Sequence, residues 1–260
     1  MAKRRQRFID GIHNYCDKWC ERCDFTGRCR VFDDTERSNR RHRAKGRDPD
    51  DMNVVFKDVS RNFEKTFRML ARWAKKNNID LDQMAKDSDE EEAMARRKKA
   101  LDKNPLVKAA MDYMSKCHEL LKELKDAFNT WRDEIESRAE YMDVRRDARD
   151  LAAIREAIEV VGWDHTMIPA KVRRAMSGKY EADLEEKDEY ADIRMEDATG
   201  SAHVARKCLI RSQAALSALY EWDELRRDRI LDLLVSAQRM QKSLEKTIPQ
   251  CISFKWPQKV

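Results

Sequence analysis

Glycine and proline are scarce in this chain, at 6 and 5 of 260 residues. So few turn formers exclude a fold of many short strands and tight hairpins, and they predict long helices. The glycines that exist form neither a G-x-G-x-x-G nor a G-x4-G-K run, which excludes the usual nucleotide cradles. No nucleophilic triad is evident either. No run of eighteen apolar residues occurs, so no membrane span and no membrane partner are expected. The basic opening MAKRRQR is not followed by an apolar segment and does not read as a secretory signal. With an odd number of cysteines, 7, and no export signal, a cytoplasmic location is expected.

What the chain has is charge and clustered thiols. Charged residues make up 40% and hydrophobic ones 41%, enough for a real core. The charge is uneven. Residues 1–47 hold fourteen Lys/Arg against seven Asp/Glu, so the whole excess behind the net +5 lies there. In the same region Cys16, Cys20, Cys23 and Cys29 follow a C-x3-C-x2-C-x5-C pattern. In a reducing compartment such a cluster points to thiolate ligands around one metal centre. On a helix the first three would share a face, and Cys29 would return after a bend at Gly27.

The spacing bears on which metal. Structural zinc favours two separated cysteine knuckles, whereas compact runs hold iron–sulfur clusters. A cubane suits this run, because each cysteine binds its own iron. The expected cofactor is therefore a [4Fe–4S] cluster, with zinc as the alternative. The triad Cys16, Cys20 and Cys23 also resembles the cluster-binding triad of radical S-adenosylmethionine enzymes. That family leaves the fourth iron open and carries a partial β/α barrel. Here Cys29 offers a fourth ligand, and no strand alternation is present.

Residues 37–51 are almost wholly polar and include Gly46 and Pro49, which predicts a linker. The expected organisation is a cysteine-rich basic metal-binding module and linker over 1–47 and a helical bundle over 48–260. The first bundle stripe is Phe56, Val59, Phe63, Phe67 and Leu70, ending near Asn77 and Asn78. Residues 87–103 are polar all round and read as a surface helix or connector. Asn104 then caps a helix with Pro105 at its first position, and residues 140–150 interrupt the stripe that follows. Residues 151–172 are apolar on nearly every face, and residues 201–222 are similar but rich in Ala and Ser. Both should be buried and packed together. Ser177 and Gly178 should end the first of them, with an acidic segment running on to Thr199 and Gly200. The last helix should continue to about Lys246, leaving Cys251, Phe254 and Trp256 to dock. The fold class is all-α, a four- or five-helix bundle with a small N-terminal cysteine-ligated module.

Polar side chains inside those helices need partners. Glu156, Glu159, His165, His203 and Glu221, joined by Glu64 or His118, are candidates for a polar site within the bundle. The set resembles the carboxylate–histidine sites of ferritin-like di-iron proteins, although no Glu-x-x-His pair occurs. The simpler reading is an internal ion-pair network, such as Arg155 with Glu159, around a satisfied core histidine. Cys117 and Cys208 read as small core hydrophobes.

The function expected is that of a metalloprotein whose iron–sulfur site is coupled to the bundle pocket in a redox or electron-transfer role, with iron-dependent redox catalysis as the enzymatic option. The alternative is a zinc-stabilised nucleic-acid-binding or scaffold protein without catalysis. The expected partners are nucleic acid through residues 1–47, where Tyr15, Trp19, Phe25 and Phe32 interleave with basic residues, and a protein redox partner.

Overall fold

The computed structural model describes residues 8–81, 88–139, 145–184 and 190–256. Among them seven α-helices occur and no strand. The helices are α1 (Arg30–Arg43), α2 (Met52–Lys76), α3 (Ser88–Lys103), α4 (Pro105–Arg138), α5 (Arg145–Leu184), α6 (Ala191–Trp222) and α7 (Arg227–Thr247). The basic opening at 1–7, part of the acidic segment, 185–189, and residues 140–144 of the expected interruption lie outside the described residues; the rest of that interruption, 145–150, is the first part of α5.

The chain divides into two units. One comprises Met1–Asn14 and Cys20–Arg96; the other comprises Tyr15–Trp19 and Arg97–Val260. In the first unit, the first half of the expected linker, 37–43, is helical, because α1 runs to Arg43. Ion pairs one turn apart, Arg37 with Asp33 at 2.8 Å among them, supply what apolar packing does not. The end of α1 is tied to α2 by buried His42, whose Nε2 lies 2.8 Å from Asp58 Oδ2. The His42 and Ser38 hydrogen bonds hold the Asp58 carboxyl below its usual range. Helix α2 starts on an Asp51 cap, which accepts from the Asn53 N–H at 2.7 Å. It ends where Asn78 turns left-handed and the Ile79 N–H donates back to Ala74 O at 2.9 Å.

The second unit is a four-helix bundle of α4, α5, α6 and α7. Short connections make successive helices antiparallel neighbours, and α7 closes the ring against α4. Asn104 caps α4 as expected, accepting from the Leu106 and Val107 N–H groups, with Pro105 at the first position. The contact between α5 and α6 is the most extensive in the molecule. Both helices are longer than their sequence signals suggested. Gly178 lies inside α5, and a Cβ there would meet Arg194 O at 3.0 Å and Ala198 Cβ at 3.1 Å. The glycine thus permits close helix approach instead of ending a helix. Thr199 and Gly200 are likewise buried inside α6. The final helical stretch is broken at Asp223, whose carboxylate accepts from the Arg226 N–H, so α6 and α7 are separate. Tyr113, Ile168, Leu209 and Ile230, one from each helix, are fully buried in the shared core. Cys117 and Cys208 pack there too, and burial pushes the Cys117 thiol up to about 12.

Candidate metal centre

The four clustered cysteines are all half-buried, and none is assigned to a disulfide. Cys16 lies in the Tyr15–Trp19 segment of the second unit, and Cys20, Cys23 and Cys29 belong to the first. The single helix that would align Cys16, Cys20 and Cys23 does not form. Lys18 adopts a left-handed conformation between the first two, with φ 62°, and short 3-10 turns follow at Cys20–Arg22 and Thr26–Arg28. Gly27 needs no left-handed backbone, so the bend expected there is an ordinary turn. Cys29 is the N-cap residue of α1. Within the turn segment the Cys23 N–H donates to Cys20 O at 3.2 Å, and the Phe25 N–H donates to Cys23 Sγ at 3.4 Å. Among the described residues, no group of three or more His, Cys, Asp or Glu is placed to hold a metal ion.

The segment carrying Cys16 is fixed to the bundle with unusual completeness. Tyr15 lies directly against the backbone of Gly200, where no side chain would fit, and meets Phe254 and Trp256 edge-on at 5.4 and 4.8 Å. The tail aromatics expected to dock do so here. Trp19 stacks on Trp163 at 5.2 Å, and Trp163 Nε1 donates to Asp17 O at 2.9 Å. Arg211 completes the attachment. Its Nη1 donates to Asp17 Oδ2 at 2.9 Å, its Nε and Nη2 grip Asp164, and its guanidinium sits 5.0 Å over the Trp19 ring.

Asp164 is fully buried, and burial raises its pKa while Arg211 opposes the shift. The Asp164 hydrogen bonds in turn hold the Arg211 guanidinium further up. Buried Lys171 has its pKa pushed down by desolvation, with Cys16 the leading group acting the other way.

The remaining candidates separate. Glu156, Glu159 and Glu221 are exposed, as are Glu64 on α2 and His118 on α4. The glutamates therefore do not face a shared interior pocket. Residues 154, 157, 158, 161, 164, 165 and 168 form the buried face of α5, and 156 and 159 fall outside it. His165 is buried, with Nδ1 donating to Gly162 O at 2.8 Å and its ring 6.1 Å from that of His118. His203 is half-buried and donates from Nδ1 to Cys251 O at 2.9 Å. These are histidines satisfied by backbone, and burial pushes both pKa values down. Asp164 is an interior acid, and neither its partner Arg211 nor Asp17, which Arg211 also holds, was singled out by sequence reasoning. The available signal was the place of Asp164 on the apolar stripe, which demands a cation from a neighbouring helix.

The chain matches no family model, and neither the curated proteins nor the solved structures contain a significant match.

Proposed function

We propose that this protein is an iron–sulfur protein in which Cys16, Cys20, Cys23 and Cys29 ligate one [4Fe–4S] cluster, exchanging single electrons with a protein redox partner. The compact four-thiol run carries the reading, because its spacing suits a cubane better than a tetrahedral zinc. Two features of the surrounding residues support it. The Phe25 amide is directed at Cys23 Sγ, and Lys171 is a buried lysine on which Cys16 acts electrostatically. Hydrogen bonds to sulfur and nearby charge are the levers by which a protein sets a cluster's potential. Coupling to the bundle would run through Asp17, next to Cys16, into the Arg211–Asp164 pair.

Metal binding requires the thiols to lose protons and converge, so loading should reorder the Cys20–Arg22 and Thr26–Arg28 turns. The test is metal and sulfide analysis of anaerobically purified full-length protein. Iron and acid-labile sulfide in equal amounts, with a visible absorption bleached by dithionite, are expected. Each single Cys→Ser variant should lose most of both. Stoichiometric zinc without sulfide would instead favour a zinc-stabilised nucleic-acid-binding or scaffold protein. Absence of either metal in reconstituted protein would end the metal reading.

A further inference from the structure

Helix α2 exposes an apolar stripe of a kind that a helix rarely leaves in water. Phe56, Phe63 and Phe67 are 62%, 60% and 65% exposed, and Leu70 and Trp73 are also exposed. With Met52 and Val59 they span roughly 120° of the wheel at about 100° per residue. The opposite face is cationic. Lys57, Arg61, Lys65, Arg68, Arg72 and Lys75 lie there, and α2 as a whole carries seven basic residues against two acidic ones. Among the described residues the contact of α2 with α1 is made through Asp58, on the helix flank and away from the stripe.

We infer that α2 binds flat on an anionic lipid surface, its aromatic stripe inserted at the headgroup boundary. A long helix of large amphipathicity, with Lys/Arg on one face and Phe, Leu and Trp on the other, is the form that partitions to this interface. The geometry uses both faces at once. Across a helix about 10–12 Å wide, flexible cation stems reach back toward the headgroups. The charges then sit within about one Debye length, ~8 Å at physiological salt, of the anionic plane.

Other occupants use only half of the surface. A nucleic acid neutralised by the cations would leave the opposite stripe wet. A protein groove closing on the stripe would leave the cations unused. A second copy paired along the stripe would find uncharged Asn53, Ser60 and Asn62 beside the seam, where ion pairs normally fix partner and register. The absence of a spanning helix among the described residues bears on insertion across a bilayer, not on lying upon it.

The full-length protein should co-sediment with phosphatidylserine–phosphatidylcholine vesicles and far less with phosphatidylcholine alone. Two surface variants, Phe63→Ser with Phe67→Ser and Lys65→Gln with Arg68→Gln and Arg72→Gln, keep the fold by circular dichroism. Each should weaken binding at least tenfold, and high salt should mimic the second. Three results would overturn the inference. They are no vesicle binding, binding indifferent to both variants, and self-association or nucleic-acid retention through this face without vesicle binding.

Discussion

Replacing Arg211 with Met should expose how strongly the second unit depends on one cation. Asp164 has no exposed surface, whereas the Arg211 side chain retains 34%. Removing one partner of a buried pair typically costs about 3–5 kcal/mol, because the other charge is left uncompensated. Partial exposure of Arg211 places the expected cost near the lower end, about 3 kcal/mol. Loss of the cation over Trp19 adds about 0.5–1 kcal/mol. With a urea slope of roughly 2 kcal/mol/M, the midpoint should fall by about 1.5–2 M, read by far-ultraviolet circular dichroism. The deficit should depend on pH. The folded Asp164 already has a raised pKa, and without Arg211 it rises further, so the folded state holds a proton that the unfolded state releases. That contribution is intact below the unfolded value of about 3.9 and is lost as pH climbs through the folded one. Arg211→Met should therefore lie closest to wild type in acid. The double variant Asp164→Leu, Arg211→Met should recover most of the loss at neutral pH. A single variant within about 0.5 kcal/mol of wild type would refute the reasoning, because ordinary surface changes are of that size.

Gly200→Ala should displace the Tyr15 ring, cost about 1–3 kcal/mol and change the near-ultraviolet spectrum of the Tyr15–Trp19 attachment. His165 and His203 have folded pKa values pushed down by burial, so their contribution is present above the unfolded value near 6.5 and is lost on acidification through the folded values. Thermal scans should show stability falling below about pH 6.5, and less steeply in His165→Gln. Asn104→Ala should cost about 1 kcal/mol in urea melts, through the two amides it leaves without a cap.

The all-helical bundle was legible because glycine and proline are few and the stripes on α4, α5 and α6 keep helical period. Helix ends were less so. Gly178 looked like a terminator, but its missing side chain serves the approach of α6, a tertiary demand that local pattern does not display. The polar stretch at 37–43 looked like a linker because its helix is held by ion pairs and by His42 with Asp58, not by an apolar stripe. In the bundle, Glu156 and Glu159 attracted notice as an acidic pair, yet one-residue offsets on a helix decide burial, and Asp164 occupies the interior. Arg211 was hidden because its partners lie 47 and 194 residues away in sequence. The cysteine cluster was legible as a pattern, but the left-handed Lys18 that prevents a common helical face was not.

The most direct test of the central claim is X-ray absorption at the metal edges of the anaerobically purified protein, compared with the Cys16→Ser, Cys20→Ser, Cys23→Ser and Cys29→Ser variants. An iron edge with a first shell of sulfur alone at about 2.3 Å, an iron–iron shell beyond it, and loss of both in each variant are predicted. A zinc edge with no iron, or iron bound by oxygen and nitrogen and retained when the cysteines are changed, would contradict the account.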